Sequence, residues 1–177
     1  SLIAAHLGVD PFQVIALANH HPRVRILEPG IGVGGHCIGV DPWFLVDAAP
    51  TDANLIRTAR RVNEYKTNWV TTQILAMADR LGPTTSLGLL GLTYKPDVAD
   101  MRESPALHIA RRCTDERPGQ VLVHDPLAVV PTSLVGASLE EVLQQDLVVI
   151  LVKHQVYRDL PVTAWIRPIL DLVGLLR

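Results

Sequence analysis

The hydrophobic pattern divides the chain into two parts. After residue 81, four short runs are almost continuously apolar, as strands buried on both faces of a sheet are. These runs cover residues 86–92, 121–125, 147–152 and 168–173. Helix-start signals separate them: Ser104-Pro105 lies between the first two runs, and a capping box of Ser138 and Glu141 lies between the next two. Strands alternating with helices predict an α/β domain with a parallel sheet over residues 81–177.

The first part, residues 1–80, has a helical pattern. Asp10-Pro11 and Asp41-Pro42 each combine an N-cap carboxylate with a proline at the first helical position. From Asp52 to about Leu81, apolar residues recur at helical spacing with no internal proline or glycine. This pattern predicts one helix of about 45 Å at a rise of ~1.5 Å per residue.

Composition narrows the class of protein. The 177 residues are 48% hydrophobic and 19% charged, with a net charge of -2. They predict a globular fold with no basic block for nucleic acid or an acidic membrane surface. No apolar run approaches the roughly 20 residues of a membrane span. Two cysteines, Cys37 and Cys113, are too few for a disulfide framework or a thiolate metal site, so a reducing cytoplasm is the expected setting.

The amino terminus has the pattern of an interrupted element. The chain begins with Ser1, and residues 1–8 resemble the tail of a helix that ends at Gly8. We therefore expect the natural protein to begin further upstream.

A glycine-rich stretch precedes the long helix. Gly30, Gly32 and Gly35 have the G-x-G-x-x-G spacing of a dinucleotide-binding loop. The context argues against that function, because Pro29 precedes the first glycine, Gly39 and Pro42 prevent a helix from following at once, and no strand follows in the right place. Glycines also permit close approach of the backbone to another group, so such a loop can wrap a ligand.

Two reactive side chains follow these glycines. Cys37 is placed like a nucleophile, and the alternative is a buried cysteine that acts as a small hydrophobe. Asp41 lies four residues further on. It is predicted to cap the next helix, and a capping carboxylate can also orient a water molecule.

A second charged loop follows the first predicted strand. Lys95 and Arg102 bracket it, close to the predicted helix start at Ser104. Ligands of open α/β sheets bind at the carboxyl ends of strands, and two cations beside a helix N-terminus favour a phosphate site. The alternative is that three neighbouring carboxylates neutralise both cations. These are Asp97, Asp100 and Glu103.

Two long stretches together carry a family resemblance. PGIGVGGHCIGVDPWFL (29–45) and GLTYKPDVADMRESPAL (91–107) resemble motifs of the UDP-glucose/GDP-mannose dehydrogenase family, in the family's order. The resemblance covers nearly the whole chain. It implies an enzyme of three parts: a Rossmann domain that binds NAD, a central helical dimerisation region, and a Rossmann-like domain that binds the UDP-sugar. Residues 1–80 match the central region and 81–177 the last domain, so we expect NAD to be bound mainly by a domain that this chain lacks.

The resemblance also implies a reaction. Family members oxidise the C6 alcohol of a UDP-sugar twice with NAD. By motif match, Cys37 attacks the intermediate aldehyde, and the resulting thiohemiacetal is oxidised to a thioester. Asp41 matches the aspartate that helps water to hydrolyse this thioester to the carboxylate.

Five further residues match family positions that contact ligands. Substrate contacts are implied for Gly34, Tyr94 and Lys95. Arg23 matches an arginine that reaches the substrate of the neighbouring subunit. Arg102 matches an arginine that reaches the phosphates of NAD.

The glycine motif also bears on the substrate. Its form, GGHC followed by VDPWF, implies an N-acetylated hexosamine, with UDP-N-acetylmannosamine expected and UDP-N-acetylglucosamine or UDP-glucose as alternatives. For the isolated chain, a non-catalytic nucleotide-sugar-binding or dimerisation module is the alternative. We also expect a homodimer or higher homo-oligomer, because Trp69, Val70 and Ile74 give the long helix more apolar surface than residues 1–80 need for a core.

Overall fold

A parallel sheet of four strands is the centre of the fold. The computed structural model describes all 177 residues. Its strands are β1 (Leu87–Leu90), β2 (Val121–His124), β3 (Leu147–Ile150) and β4 (Ile169–Asp171). They are arranged in the order β2-β1-β3-β4, and every neighbouring pair is parallel. The strands lie within the four apolar runs, so the predicted α/β fold is confirmed.

Two helices cover the centre of this sheet. α5 (Pro105–Glu116) connects β1 to β2, and α6 (Leu139–Leu143) connects β2 to β3. The two connections run in opposite directions across the sheet, so right-handed crossovers place the helices on opposite faces. This double cover explains why β1 and β3 are buried at every position. The short α7 (Gln155–Arg158) and a 3-10 turn (Val162–Ala164) precede β4.

The predicted helix starts at the two serines are confirmed. Ser104 Oγ accepts a hydrogen bond from the Leu107 N–H at 3.3 Å, at the start of α5. At the start of α6, Ser138 and Glu141 form a reciprocal capping box. Each cap satisfies backbone groups that the first helical turn leaves without partners.

The strand order creates a point at which the chain connections diverge. From β1 the chain goes to β2 on one side, and β3 lies on the other side. In open α/β sheets such a point leaves a crevice at the carboxyl ends of the strands, where ligands bind. The loop that follows β1, residues 91–104, lies at this end of the sheet.

The predicted long helix is α4 (Asn54–Leu81), with 28 residues. Its second half belongs to the core of the sheet, because Val70, Ile74 and Ala78 are fully buried there. The chain's own strands and helices therefore cover Val70 and Ile74, which leaves neither side chain for a second subunit.

The chain forms two compact units, Ser1–Gly30 and Ile31–Arg177. The first contains α1 (Leu2–His6) and α2 (Pro11–Ala18), and Asp10 caps α2 by accepting the Phe12 N–H at 3.0 Å. The second contains α3 (Asp41–Ala48), which packs on α4, together with the whole sheet. The division at residue 80 between a central region and a last domain stays a prediction. None of the helices combines the length and the apolarity that crossing a membrane requires.

Candidate functional site

The glycine loop, defined as residues 30–40, is attached to α4 by side chains. The Val33 N–H donates to Asn63 Oδ1 at 2.7 Å, and Asn63 Nδ2 donates to the Val33 carbonyl at 3.0 Å. Thr67 Oγ1 donates to the Ile31 carbonyl at 3.2 Å. The glycine loop is irregular and has no neighbouring strand, so Asn63 and Thr67 provide the hydrogen-bond partners that its backbone groups need. Sequence reasoning missed both residues, because polar positions on a helix resemble an ordinary solvated face.

The glycine loop also docks on the loop that follows β1. The Gly35 N–H donates to the Arg102 carbonyl at 3.2 Å. A Cβ atom at Gly34 would lie 2.0 Å from the Glu103 carbonyl oxygen, which no side chain allows. Gly35 has a φ of 93° and its Cα faces the Tyr94 ring, where a Cβ would come within 3.0 Å. These glycines are therefore needed for contact between two loops of the protein.

This contact changes the physical explanation of Gly34. The sequence suggested that the glycines permit approach to a sugar, whereas the space beside Gly34 is filled by the backbone of Glu103. Substrate contact by Gly34 itself stays a prediction. The glycines bear no pyrophosphate-loop geometry, since residues 27–34 have no strand and α3 begins only at Asp41.

Cys37 lies at the exposed turn of the glycine loop. Its carbonyl accepts the Val40 N–H at 3.1 Å and the Asp41 N–H at 2.8 Å, so a helix-like turn leads directly into α3. The thiol is exposed. Cys113, in contrast, is buried in the core, and burial raises the pKa of its thiol to about 12. Cys37 is thus the one cysteine available for chemistry.

The predicted capping role of Asp41 is wrong. Asp41 is the first residue of α3, and Val40 occupies the N-cap position without a side-chain cap. The reason is the turn at Cys37, which already binds the Asp41 N–H and gives Asp41 a helical backbone. Its carboxylate is exposed one helical turn after Cys37 and is available for another role.

The loop after β1 presents the predicted cations. The Tyr94 N–H donates to the Asp100 carbonyl at 3.0 Å, which closes this loop at its base. Lys95 is exposed. Arg102 is exposed as well, and its Nη2 and Nε atoms bind the Asp100 carboxylate at 2.6 to 3.1 Å. Of the carboxylates considered as partners, Asp100 therefore neutralises Arg102.

Electrostatics connects this cation to the glycine loop. Hydrogen bonding and the charge of Asp100 raise the pKa of Arg102, and Tyr94 and Cys37 make smaller charge contributions. Hydrogen bonds from Arg102 lower the pKa of Asp100 to about 2, with a small contribution from His36. The structure thus brings the loop that carries Cys37 into contact with the loop that carries Tyr94, Lys95 and Arg102.

A buried polar group supports the loop after β1. Asp125 Oδ2 accepts the N–H groups of Leu92 at 2.7 Å and Thr93 at 3.3 Å. Burial raises the pKa of Asp125, but its hydrogen bonds to His154 and to backbone N–H groups outweigh that effect and hold the pKa well below its usual range. In the sequence, only their positions mark Asp125 and His154, since Asp125 follows β2 and His154 follows β3.

Arg23 belongs to the smaller unit, Ser1–Gly30. Its side chain is exposed, and its backbone N–H donates to His21 Nδ1 at 3.3 Å. Asn19 closes the loop around it through hydrogen bonds with Ile26. A contact between Arg23 and substrate stays a prediction.

A groove of about 510 Å³ lies beside the glycine loop, between it and residues of α4 and α5. Gly39, Trp43, Arg60 and Arg111 are among its lining residues, whereas Cys37, Lys95 and Arg102 are not. No group of three or more His, Cys, Asp or Glu side chains is placed to hold a metal ion. The candidate site is therefore an exposed surface formed by two loops.

Sequence profiles of one family match most of the chain. The central domain of the UDP-glucose/GDP-mannose dehydrogenase family matches residues 1–65, and its UDP binding domain matches residues 88–174. The chain belongs to the UDP-glucose/GDP-mannose dehydrogenase family. The glycine loop lies in the central domain of the family, and the loop after β1 lies in its UDP binding domain.

Curated relatives support the same assignment. The NDP-N-acetyl-D-galactosaminuronic acid dehydrogenase of Ralstonia solanacearum is 47% identical over 165 residues, which are 90% of this chain and 39% of that protein. The UDP-N-acetyl-D-mannosamine dehydrogenase of Escherichia coli K12 is 44% identical over 171 residues, 89% of this chain and 41% of that protein. The chain thus spans about two fifths of the length of these curated relatives.

Solved structures of family members have the same fold. The UDP-D-ManNAc dehydrogenase of Pyrococcus horikoshii has a TM-score of 0.84 and 33% identity, and the match covers 99% of this chain and 43% of that one. A UDP-glucose dehydrogenase of Pyrobaculum islandicum has a TM-score of 0.80 and 26% identity, covering 96% of this chain and 41% of that one.

Replacement of Gly34 by alanine tests the contact between the two loops. The new Cβ would force the Glu103 carbonyl to move, so we expect a loss of about 1–3 kcal/mol in the free energy of unfolding. Slow hydrogen exchange at the Gly35 N–H should also be lost. Gly30→Ala is the matched control, because no atom lies within 4 Å of a Cβ built there. Equal urea midpoints for the two variants would contradict this role for Gly34.

The Asp100–Arg102 pair predicts an unusually acidic carboxyl group. In the wild-type chain, an NMR titration should place the Asp100 pKa at about 2, and Arg102→Gln should return it toward the ordinary 3.8. Because the folded-state pKa is depressed, the stabilisation from this pair is complete above the ordinary pKa and is lost as pH falls toward 2. An Asp100 titration that is the same in both proteins would exclude the pairing in solution.

Proposed function

We propose that this chain forms the thiol- and UDP-sugar-binding part of an NAD-dependent UDP-sugar 6-dehydrogenase. The observation that carries the proposal is the docking of the glycine loop on the loop after β1. In this docking, the loop that carries the exposed Cys37 thiol contacts the loop that carries Lys95 and Arg102. Since the chain spans about two fifths of its curated relatives, turnover is proposed for a complete protein that contains this sequence.

The proposed role of Cys37 is to retain an aldehyde. After the first oxidation at C6 of the sugar, the thiolate adds to the aldehyde carbon and forms a thiohemiacetal. Loss of a hydride from that carbon to NAD, with loss of the hydroxyl proton to solvent, gives a thioester, and water then releases the carboxylate and regenerates the thiol. A reducing compartment, with the cytoplasm as the proposed one, keeps the thiol available.

Asp41 is proposed to serve the hydrolytic step. Its carboxylate is exposed and lies one turn after Cys37, with the two backbones joined by the hydrogen bond from the Asp41 N–H to the Cys37 carbonyl. A carboxylate beside a thioester orients an attacking water and accepts its proton. Because Asp41 has no capping function in α3, this role does not compete with helix formation.

Lys95 and Tyr94 are proposed to contact the UDP-sugar. Lys95 is exposed at the carboxyl end of β1, where open α/β sheets bind ligands. An ammonium group there attracts phosphate oxygens as a compact charge. Gly34 and Arg23 are proposed as further substrate contacts, Arg23 toward the site of a second subunit.

Only one residue of this chain, Arg102, is proposed to contact NAD. When bound, NAD accepts the hydride in each oxidation. The glycine loop has no strand before it and no helix directly after it, so it does not form a pyrophosphate-binding turn. Arg102 keeps a guanidinium Nη1 that takes no part in its bonds to Asp100, and we propose that it reaches the phosphates of NAD. The remaining contacts to NAD would come from another domain.

UDP-N-acetylmannosamine is the proposed substrate, which makes the complete protein a UDP-N-acetyl-D-mannosamine dehydrogenase. The 44% identical relative from Escherichia coli carries that name. The 47% identical relative from Ralstonia solanacearum is named for N-acetyl-D-galactosaminuronic acid. Both names involve an N-acetylated sugar, so the configuration of the hexosamine is the point to test, with UDP-N-acetylglucosamine and UDP-glucose as further competitors.

A homodimer or higher homo-oligomer is proposed on the basis of exposed apolar side chains. On α4, Leu55, Val62 and Tyr65 recur on one helical face and are 82%, 50% and 59% exposed. On the neighbouring α3, Phe44 and Leu45 are 69% and 57% exposed. Several exposed apolar side chains on two packed helices favour an interaction site.

Replacement of Cys37 by serine tests the nucleophile. In a protein in which an NAD-binding domain precedes this sequence, Cys37→Ser should reduce formation of the acid from UDP-N-acetylmannosamine by more than about a thousandfold. Cys113→Ala is the matched control and should retain turnover, because Cys113 is buried. NAD reduction is measured with UDP-N-acetylmannosamine, UDP-N-acetylglucosamine and UDP-glucose. Normal turnover by Cys37→Ser would reject the nucleophile, and preference for another sugar would reject the mannosamine assignment.

Asp41→Asn should slow hydrolysis and spare formation of the covalent intermediate. We therefore expect mass spectrometry during turnover to show an adduct on the peptide that contains Cys37. Unimpaired turnover without an adduct would exclude Asp41 from this step.

The apolar surface on α3 and α4 predicts self-association. Light scattering at micromolar concentration should give at least a dimer for the wild-type chain, and Leu55→Glu combined with Val62→Glu should shift it to the monomer. Val162→Glu is the control, because Val162 is an exposed valine outside α3 and α4. A monomeric mass for the wild-type chain would contradict the prediction.

A further inference from the structure

His154 is a fully buried histidine that the proposed chemistry does not use. It follows β3, has 0% exposure and forms the N-cap residue of α7. Its ring packs edge-on against the Tyr157 ring, with centroids 5.6 Å apart. The two ring nitrogens face the loop after β1. That loop is distant from His154 in the sequence but adjacent to it at the carboxyl edge of the sheet.

The hydrogen bonds of this ring define a single arrangement of protons. The Asp97 N–H donates to His154 Nδ1 at 3.0 Å, so Nδ1 must be an acceptor and Nε2 must hold the proton. Nε2 lies 3.1 Å from Thr93 Oγ1 and 3.4 Å from Asp125 Oδ2. Both oxygen atoms accept hydrogen bonds, so the donor is satisfied.

A directed chain of hydrogen bonds leads from this ring to Lys95. His154 Nε2–H donates to Thr93 Oγ1, and the Thr93 hydroxyl donates in turn to the Lys95 carbonyl at 3.0 Å. Chains with one donor direction polarise and strengthen their members. The buried His154 ring, which lies in the connection between β3 and β4, thereby fixes the backbone of Lys95 in the loop after β1.

The other side of Lys95 is fixed through a strained residue. Asp97 has a φ of 59°, a left-handed conformation that non-glycine residues seldom adopt. Its N–H binds His154, and its Oδ1 accepts the Gln155 N–H at 2.9 Å. Residues held in this region persist only where the surrounding structure enforces them, and they cluster at functional sites. Residues 154 and 155 provide that enforcement.

We propose that His154 is a positioning residue, which sets the backbone of the Thr93–Asp97 turn and through it the ammonium group of Lys95 for binding a UDP phosphate. The inference rests on the proposed function of Lys95. It predicts an effect on UDP affinity from a side chain that is too deeply buried to touch a ligand. The glycine loop is held by other contacts, from Asn63, Thr67 and the Arg102 carbonyl, so the Cys37 thiol should not depend on His154.

Two conservative variants separate positioning from simple packing. In His154→Asn, the amide oxygen can take the place of Nδ1 and keep the bond to the Asp97 N–H. In His154→Gln, the amide nitrogen can take the place of Nε2 and keep the bond to Thr93. Thr93→Val, of nearly the same shape, breaks the link to Lys95 and leaves the Asp97 bond. His124→Asn is the control, because His124 contacts the same Tyr157 at 2.9 Å but does not contact the turn.

The 177-residue chain is used for both measurements, hydrogen exchange at the Asp97 N–H and the Kd of UDP by calorimetry. Exchange at Asp97 should quicken in His154→Gln and stay slow in His154→Asn and Thr93→Val. The Kd of UDP should rise about tenfold in each of these three variants, the effect of about one hydrogen bond. It should stay unchanged in His124→Asn. The rate of Cys37 alkylation should be unchanged in all variants.

The two measurements also separate the inference from the proposed function. A wild-type chain that does not bind UDP would overturn the proposed function, and exchange at Asp97 would still decide whether His154 holds the turn. Binding of UDP by the wild-type chain with an unchanged Kd in the three variants would overturn the inference alone. Equal exchange at Asp97 in the asparagine and glutamine variants would also overturn it, because a role in packing affects both alike.

Discussion

The contact between Gly34 and the Glu103 carbonyl is the constraint on which the candidate site depends. A Cβ at Gly34 would lie 2.0 Å from that oxygen, so only glycine lets the two backbones meet. Glu103 contributes its own strain, with a φ of 50°. The Gly35 N–H then reaches the Arg102 carbonyl and joins the loops. Two segments about 70 positions apart in the sequence thus become one surface through backbone geometry.

The consequence of this contact is electrostatic. It joins the loop that carries a thiol to the loop at the sheet edge that carries a guanidinium, and the charge of that guanidinium is bound mainly to Asp100. Asp100 holds Arg102 in place, and Asp125 and His154 hold the start of the same loop from below. The reactive groups are exposed, while Asp125 and His154 are buried. This arrangement is typical of sites in which rigid elements position side chains on loops.

Much of the fold could be predicted from the sequence because its signals are local. Apolar runs mark the strands, and Ser104 and the Ser138–Glu141 pair mark helix starts that form as expected. The errors arise where a longer-range contact intervenes. Asp41 fails as a cap because the turn at Cys37 occupies its N–H, and Val70 and Ile74 have no need of a second subunit because the core of this chain covers them.

The candidate site also contains residues that the sequence reveals and residues that only the structure reveals. Cys37, Lys95 and Arg102 stand out in the sequence because their residue types carry chemistry. Asn63, Thr67 and His154 do not stand out, since their importance lies in which distant backbone groups they bind. Glycine spacing alone suggested a ligand loop, and only the structure shows that another loop fills the space beside Gly34.

A crystal structure of the complete protein with its UDP-sugar tests most directly whether these two loops form one site. The sugar C6 atom should lie about 3–3.5 Å from Cys37 Sγ, the distance for attack by a nucleophile. The pyrophosphate should lie beside Lys95. A sugar bound elsewhere, or a pyrophosphate that avoids the loop after β1, would contradict the assignment of both loops to a single substrate site.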